Sequence, residues 1–428
     1  MYTNVSELID FIEHSKRQEK KTSLDKMFSL CSLFDNPQED IPFIHIGGTN
    51  GKGSTVSYIK NILMKSGFNV GSFISPYVVC FNERINLNND YISDDDLLRI
   101  GNMIIDKCLQ NGYQIPAFFD FVTLIAFIYF KELYKKGLVD YVVLEVGMGG
   151  IFDSTNVVRP MASIITNVDY DHMGILGNTL EEIWLNKLGI MKENTLFLCY
   201  HSPYDYLVNN KAKLINNLDN VVFLNKEDVK VNYLKNFETS FNYKEYKDIK
   251  LHLLGKYQAE NASLAIEAIL ALNNNHMLIH QVTTKEIYQG LAKTFWPGRL
   301  EIMSKKPLII LDGAHNVDAV LRLKEFLEMY PFTKKIRLVI AISANKEVEK
   351  MIKIIEPLAN QVIYTQFNYR RSNDANHLYN ISNHPNKILV EDDNEILPLI
   401  LSDNDYDNVL FGSLYFVSEM RKKLIELN

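Results

Sequence analysis

Cysteine is scarce in this sequence of 428 residues. The four cysteines, Cys31, Cys80, Cys108 and Cys199, form no C-x-x-C pair and have no companion histidines at metal-ligand spacing. The sequence therefore supports neither a disulfide framework nor a zinc site. A reducing, cytoplasmic compartment is expected.

The sequence also lacks an excess of basic charge. Lysine and arginine number 45 against 52 aspartates and glutamates, which gives a net charge of −7 and argues against a general nucleic-acid or acidic-membrane binder. The first 21 residues carry early acidic side chains and no uninterrupted apolar run. They predict a surface amphipathic helix rather than a signal peptide or a membrane span.

Length and composition predict a globular protein of two unequal domains. Apolar residues make up 47% of the chain, and single hydrophobic cores stop growing at about 250 to 300 residues. The segment Phe-Trp-Pro-Gly-Arg at 295–299 combines proline and glycine, which end regular structure. The predicted domains are therefore 1–294 and 298–428.

The apolar patterns predict an α/β fold. Strands are predicted in the first domain at 41–46, 69–74, 139–146 and 162–168. Those at 139–146 and 162–168 are nearly continuous in apolar residues, as expected for strands covered on both faces. Helical periodicity separates most of the predicted strands, whereas 200–250 is predicted to contain only short strands and loops. The second domain alternates helical patterns with strands predicted at 307–311, 336–342, 361–365, 387–390 and 408–411. We expect an N-terminal P-loop ATPase-type domain with a parallel sheet and a smaller, C-terminal, doubly wound α/β domain.

One glycine-rich stretch, 44–55, connects the first of these strands to a helix. Its glycines allow consecutive N–H groups to point at a phosphate, and the helix N-terminus adds a favourable dipole. Lys52 is predicted to bind the outer phosphates, and Ser54 a magnesium ion. The predicted nucleotide-binding residues of the loop are Thr49, Asn50, Gly51, Lys52, Gly53 and Ser54.

This loop departs from the common pattern G-x-x-x-x-G-K-S/T. Ile46 stands in place of the first glycine, and Gly53 separates Lys52 from Ser54. A generic P-loop kinase is therefore disfavoured. The alternative to a phosphate-binding loop is a glycine-rich turn whose lysine has no function. The preceding strand and the following helix argue against this alternative.

Two polar residues follow other predicted strands. Glu145 ends one buried strand and His172 follows another, and ligand sites of open parallel sheets lie at the carboxyl ends of the strands. With Ser54, they form a candidate magnesium site. Magnesium prefers oxygen ligands, so a histidine there needs independent support.

The loop Thr-Asn-Gly-Lys-Gly-Ser resembles that of the Mur ligase superfamily, and most closely its folylpolyglutamate synthase branch. Further blocks resemble that branch in the same order along nearly the whole chain. They are Ser75-Pro76 with Phe81–Arg84, Glu145–Gly150 with Asp153–Asn156, Asp171-His172 through Gly177, Lys187–Lys192, Gly255–Asn261, and Asp312–Asn316.

The resemblance implies an ATP-dependent ligase of folate biosynthesis and one-carbon metabolism that adds L-glutamate to a folate through an acyl phosphate. It implies ATP and two magnesium ions as cofactors, and a monomer without nucleic-acid or membrane partners. Lys52, His172, Lys187 and His315 would be the catalytic residues.

The same resemblance implies further roles. Ser54, Ser75 and Glu145 would bind one magnesium ion, and His172 the second, together with Lys187 as a carbamate. A carbamate replaces a positive charge by a negative one and supplies oxygen ligands.

The nucleotide and the amino acid would meet other residues. Gln258 and Asn261 would lie near the nucleotide base, with Arg299 and Asp312 approaching ribose and phosphate from the second domain. His315 and Ser413 would lie on the glutamate side.

Four positions depart from the family pattern: Asp120, Ile151, Asn186 and Tyr257. They leave open whether dihydropteroate is also a substrate. Two alternatives to a folate ligase also remain. One is a P-loop ATPase or regulatory binding module; the other is a cell-wall ligase of the Mur type, disfavoured because only about forty residues precede the loop.

Overall fold

The computed structural model describes residues 1–15, 22–344, 347–367 and 372–427. These residues divide into two compact units. The first unit comprises Met1–Asp228 and Glu260–Lys293, and the second comprises Val229–Ala259 and the chain from Thr294. The predicted boundary at 295–299 falls where the chain last enters the second unit. The segment 229–259 was predicted to belong to the first domain, but it lies in the second unit.

The first unit is built on an eight-stranded sheet of order β4-β3-β2-β5-β1-β6-β7-β8. The strands are β1 Phe43–Gly47, β2 Val70–Phe73, β3 Ile85–Leu87, β4 Asp90–Tyr91, β5 Tyr141–Glu145, β6 Ala162–Ile165, β7 Leu196–Tyr200 and β8 Val221–Leu224. The six strands from β2 to β8 in this order are parallel, and β3 and β4 form an antiparallel edge.

Nine helices belong wholly or partly to the described residues of this unit. They are α1 Val5–His14, α2 Asp25–Leu33, α3 Lys52–Lys65, α4 Asp94–Gln110, α5 Phe118–Lys135, α6 Leu180–Lys187, α7 Asp205–Leu214, α8 Lys256–Asn274 and α9 Thr284–Lys293. Helix α8 begins in the second unit and continues into the first. The predicted N-terminal helix corresponds to α1, and its last predicted residues, 16–21, lie outside the described residues.

The second unit contains two sheets. A three-stranded antiparallel sheet consists of β9 Val229–Lys235, β10 Glu238–Tyr243 and β11 Tyr246–Leu251. A six-stranded sheet has the order β12-β13-β17-β14-β15-β16, with all strands parallel except β12. These strands are β12 Glu301–Lys305, β13 Leu308–Asp312, β14 Lys335–Ile340, β15 Gln361–Tyr364, β16 Lys387–Leu389 and β17 Tyr406–Phe411.

Among the described residues, five further helices cover this sheet and complete the doubly wound pattern predicted for the C-terminal part. They are α10 Val317–Met329, α11 Val348–Ile355, α12 Ala375–Ile381, α13 Ile396–Ser402 and α14 Leu414–Glu426. Leu234 and Leu254 pack into the same core as Ile310 and Phe326. The segment 229–259 therefore joins the second unit because its apolar side chains are buried there.

Burial on both faces explains the central strands of the first unit. Every residue of β1, β5 and β6 is buried, as expected for strands with helices on either side. Ile46 pairs with Glu145, and Gly47 pairs with Ile165. This register brings the carboxyl ends of three strands to one edge of the sheet, where the predicted phosphate loop begins.

Most predicted elements are confirmed. Helix α7 lies within 200–250, where only strands and loops were predicted, and α2, β3, β4, β7 and β12 were not predicted. No helix within the described ranges combines the length and apolarity that crossing a bilayer requires.

Candidate active site

The phosphate loop between β1 and α3 is shaped by glycines with left-handed backbone angles. Gly51 has a φ of 83° and immediately precedes α3. A Cβ atom there would lie 2.4 Å from Asn261 Oδ1. Glycine is therefore needed at this position both for its backbone conformation and for the close approach of Asn261.

The segment after β6 anchors this loop. The Thr49 amide donates to the Asn167 carbonyl at 2.9 Å, and the Asn50 amide donates to Asn167 Oδ1 at 2.7 Å. The Thr166 hydroxyl donates to the Asn50 carbonyl at 2.6 Å. The loop thus has a defined shape because these hydrogen bonds tie it to the end of the neighbouring strand.

Two lysine side chains meet within the loop. Lys52 Nζ donates to the carbonyl oxygens of Gly48 and Thr49, each at 3.1 Å. Lys187 Nζ, from the end of α6, donates to the same Gly48 oxygen at 2.9 Å. The structure therefore brings together two residues predicted to be catalytic, although 135 positions of sequence separate them (187 − 52).

Lys187 is buried rather than exposed on its helix, with 3% of its surface accessible. Burial, and secondarily the charge of Lys52, lower the pKa of Lys187 to about 7, against the opposing effect of Asp171 and Asp153. A substantial fraction of its amine is therefore neutral near pH 7. A neutral amine is the form that attacks carbon dioxide to give a carbamate.

Glu145 lies at the end of β5, beside the loop, and is buried. Its Oε2 accepts a hydrogen bond from the Ser75 amide at 3.2 Å. The Ser75 hydroxyl accepts one from Arg84 Nη1 at 3.2 Å. Two of the predicted metal ligands are therefore neighbours, and Arg84 orients one of them.

The donor set of Ser54, Ser75 and Glu145 fits magnesium. Hydroxyl and carboxylate oxygens are hard ligands, and magnesium usually takes one or two carboxylates and completes its shell with phosphate and water oxygens. Within the described ranges, no group of three or more His, Cys, Asp or Glu side chains could hold a metal by itself.

His172 lies on the loop after β6 and is partly exposed, with 45% of its side chain accessible. Its Nε2 is 3.8 Å from Asp171 Oδ2, and its backbone has a φ of 48°. An accessible imidazole beside a carboxylate fits a metal ligand better than a buried structural histidine. Asp171 was not among the predicted site residues.

The four residues Asp153–Asn156 form a turn in which each side chain holds a different element. Asp153 Oδ2 accepts from the Met148 amide at 2.8 Å, and Ser154 donates to Asp120 Oδ1 at 2.7 Å. Asn156 donates to the carbonyls of Ile151 and Gly189, each at 3.1 Å.

The third residue of this turn, Thr155, is hydrogen-bonded to His45 Nε2 at 2.8 Å. The Gly147–Gly150 loop is thereby linked to β1, to α5 and to the segment that follows Lys187. These hydrogen bonds and a role for Asp171 were not predicted from the sequence. The Asp-Ser-Thr-Asn block and the Asp171-His172 pair were the sequence features that could have indicated them.

Asn261 lies against Gly51, as described, so the structure places it at the phosphate loop. Gln258 is fully buried in the first turns of α8, where its amide donates to the Gly255 carbonyl at 3.0 Å. The structure thus brings Asn261 next to the loop residues.

Asp312 and Arg299 are neighbours within the second unit. Asp312 ends β13, and its two carboxylate oxygens accept from the amides of Ala314 and Leu300, each at 2.9 Å. Burial raises the pKa of Asp312, while Arg299 opposes that shift. Tyr257 belongs to the same cluster: burial raises its pKa well above the usual value, with Asp312 adding to the shift and Arg299 opposing it.

His315 and Ser413 follow neighbouring strands of the second sheet. His315 Nδ1 is 2.7 Å from the Gly313 carbonyl oxygen. Ser413 is the N-cap of α14 and accepts from the Tyr415 amide at 3.3 Å. Because β13 and β17 are adjacent and parallel, both residues lie at the carboxyl edge of this sheet.

The positions that depart from the family pattern have distinct surroundings. Asp120 is buried on α5, and Ile151 is exposed. The Asn186 carbonyl accepts from the Ile151 amide at 2.9 Å. Asn186 therefore helps to hold the glycine loop through its backbone, which does not depend on its side chain.

The fold and the loop together define a nucleotide-dependent ligase of the Mur class. Residues 125–269 match the Mur ligase middle domain family, and residues 299–424 match the dihydrofolate synthetase C-terminal domain family. A dihydrofolate synthase/folylpolyglutamate synthase of Bacillus subtilis is 35% identical over 436 residues, covering 99% of this chain and 100% of that protein. This chain belongs to the dihydrofolate synthase/folylpolyglutamate synthase family, whose members are ATP-dependent ligases.

Solved structures agree with this assignment. A folylpolyglutamate synthase from Thermotoga maritima has a TM-score of 0.85 at 32% identity, covering 99% of this chain and 97% of that one. An FPGS–AMPPCP–folate complex has a TM-score of 0.80 at 29% identity and covers 99% and 100%. These relatives favour a folate ligase over a cell-wall ligase and over an ATPase without ligation.

Proposed function

We propose that this chain uses ATP to join L-glutamate to a folate. The observation that carries the proposal is the convergence of Lys52 and Lys187 on the Gly48 carbonyl, beside the carboxylate of Glu145. The Lys52 ammonium within a loop of backbone amides suits a triphosphate, and an oxygen ligand at the edge of the loop suits the accompanying metal.

The reaction proceeds in two displacements. A carboxylate oxygen of the folate attacks the γ-phosphorus of ATP, the bond to the β-phosphate oxygen breaks, and ADP leaves. The amine of glutamate then attacks the carbonyl carbon of the acyl phosphate, phosphate leaves, and the nitrogen loses a proton to give the amide. Phosphorylation is needed because a free carboxylate has no good leaving group.

The residues of the loop act on the first displacement. Lys52 releases its carbonyl contacts and binds the β- and γ-phosphates, and the loop amides bind the same oxygens. These donors are fixed before the reaction, so they stabilise the charge that develops on the transferring phosphoryl group. Magnesium, held by Ser54, Ser75 and Glu145, supplies further charge stabilisation when bound.

Lys187, as a carbamate, and His172 would hold a second magnesium ion, which would stabilise charge on the acyl phosphate. The lowered pKa of Lys187 supports this assignment, because the neutral amine is available near pH 7. Asn261 contacts the nucleotide from α8, with Gln258 nearer the base. Arg299 and Asp312 contribute to nucleotide binding from the second unit, and His315 and Ser413 to glutamate binding.

Dihydropteroate is proposed as a second acceptor. The specific observation in its favour is that the Bacillus subtilis relative is a dihydrofolate synthase as well as a folylpolyglutamate synthase.

The four cysteines are free thiols, which supports a reducing, cytoplasmic compartment. The protein is proposed to act as a monomer, which sedimentation at assay concentration tests.

The test measures phosphate release from ATP with L-glutamate and either tetrahydrofolate or dihydropteroate, and identifies each product by mass. We expect phosphate release that requires L-glutamate together with a folate or dihydropteroate, and a product whose mass has increased by one glutamate residue. Phosphate release that is independent of both would support an ATPase and contradict the proposal. Product with tetrahydrofolate alone would restrict the activity to polyglutamate synthesis.

A further inference from the structure

A buried histidine lies on the central strand β1, three residues before Gly48, where the loop between β1 and α3 begins. His45 has no accessible surface, and burial is the main cause that lowers the pKa of its imidazole to about 3. Its ring is therefore neutral throughout the physiological range. His45 Nε2 is 2.8 Å from the hydroxyl oxygen of Thr155, which is also fully buried.

The direction of this hydrogen bond follows from the next contact. The Thr155 hydroxyl donates to Asp153 Oδ1, which also accepts from the Thr155 amide, while Asp153 Oδ2 accepts from the Met148 amide. Since the single hydroxyl proton of Thr155 is used there, its oxygen must accept from His45 Nε2–H. The imidazole therefore has its proton on Nε2, and Nδ1 is a buried acceptor with no hydrogen-bond partner in the described part of the chain.

The contacts continue from Asp153 to the loop that follows β5. Its second carboxylate oxygen accepts from the Met148 amide at 2.8 Å. The Ile151 amide of the same loop donates to the Asn186 carbonyl, adjacent to Lys187. A Cβ atom on Gly150 would lie 2.7 Å from the Lys187 carbonyl oxygen, so the loop and the end of α6 are in close contact.

Packing alone does not explain a histidine at position 45, because its Nδ1 atom is buried without a hydrogen-bond partner in the described part of the chain. A buried acceptor without a partner is destabilising, and an apolar side chain at this position would avoid that cost. The imidazole provides one hydrogen-bond donor, Nε2–H, within hydrogen-bond distance of the Thr155 hydroxyl oxygen. That donor fixes the hydroxyl rotor so that its proton points to Asp153.

We propose that His45 is a positioning residue that, through Thr155 and Asp153, holds the Gly147–Gly150 loop against the segment carrying Lys187. Its effect on ligation rests on the proposed function. The loop position itself can be measured without any substrate.

The test uses His45→Leu, which removes the donor, and His45→Gln, whose side-chain amide can donate to Thr155. Thr155→Val breaks the same connection with little change of shape. Thr123→Val is the matched control, because Thr123 is a fully buried threonine whose hydroxyl has no hydrogen-bond partner among the described residues.

Amide hydrogen exchange of the ligand-free protein is the first measurement. The Met148 amide should exchange on the order of tenfold faster in His45→Leu and Thr155→Val, as expected when one hydrogen bond is lost. His45→Gln should restore most of the protection, and Thr123→Val should not change it. Unchanged Met148 exchange in both disrupting variants, or equal acceleration throughout the chain, would overturn the proposal.

Ligation kinetics are the second measurement. In His45→Leu and Thr155→Val we expect kcat to fall about tenfold with the KM for ATP unchanged, and His45→Gln to recover most of kcat. A normal kcat in a variant whose Met148 amide exchanges faster would overturn the positioning role of His45 in catalysis. If the wild-type protein does not ligate glutamate, the proposed function fails, and the exchange data alone decide whether His45 positions the loop.

Discussion

The side-chain amines of Lys52 and Lys187 donate to one carbonyl oxygen, that of Gly48, at 3.1 and 2.9 Å. Two like charges at one acceptor are favourable only if their charge can be reduced or neutralised. Burial and the neighbouring Lys52 lower the pKa of Lys187 to about 7, which is one such reduction. Binding of a triphosphate by Lys52 would be another.

Replacing Lys52 by alanine is expected to abolish nearly all ligation while leaving the fold intact. The loop would lose the lysine placed for the β- and γ-phosphates, and removing one preorganised donor to a transition state costs about 10²- to 10³-fold in kcat. Lys65→Ala, at the exposed end of α3, is the control. Phosphate release and circular dichroism measure the two effects, and ordinary turnover by a folded Lys52→Ala protein would rule out the assignment.

Gly51→Ala should impair nucleotide binding more than Gly67→Ala. Both glycines have positive φ, of 83° and 90°, but a Cβ on Gly51 would meet Asn261 at 2.4 Å whereas none of the atoms around Gly67 lies within 4 Å. The strain common to both is about 1 to 2 kcal/mol. Titration calorimetry with an ATP analogue should show loss of affinity for Gly51→Ala alone. Equal affinities for the two variants would contradict this role of Gly51.

Lys187 should form a carbamate in bicarbonate buffer. With ¹³C-labelled bicarbonate, a carbamate resonance is expected to grow as the pH rises through about 7, because the neutral amine is the nucleophile. Lys187→Ala should lose both the resonance and ligation, and small carboxylates should restore part of the activity. Lys60→Met, which removes a half-buried lysine whose pKa is also lowered, is the control for the resonance. Normal ligation by Lys187→Ala would show that the carbamate is not needed.

The stability of the ligand-free protein should depend on Lys187 in a pH window above about 7. The pKa of Lys187 is lowered from 10.5 to about 7 on folding, so between these values the unfolded chain binds more protons. The free energy of unfolding therefore rises with pH across this window, by about 1.4 kcal/mol per unit at most for one group, and is lowest below pH 7.

Denaturant unfolding in carbon-dioxide-free buffer at pH 6, 7.5 and 9 measures this effect. Lys187→Met should reduce the rise and gain most stability relative to wild type at pH 6. The remaining rise would come from Lys60 and Lys192, whose pKa values burial lowers to about 8. An identical pH profile for the wild type and Lys187→Met would contradict a buried amine.

The amino-acid sequence by itself determined the elements and the chemistry of the phosphate loop. Glycine spacing around Lys52 is a local property, and a turn with left-handed angles at Gly48 and Gly51 follows from residues that are adjacent in the chain. Apolar runs and helix caps are equally local. The capping box at the start of α6, for example, needs only Thr179 and Glu182, which lie three positions apart.

Tertiary structure alone decided which distant residues meet. Nothing in the sequence around Lys187 indicates burial against Gly48, because that contact depends on the order of β1, β5 and β6 in the sheet. The same register joins His45 to Thr155 across 110 positions. The segment 229–259 belongs to the second unit for a similar reason: its alternating pattern is weak, and only the packing of Leu234 and Leu254 into a core formed by later residues determines its place.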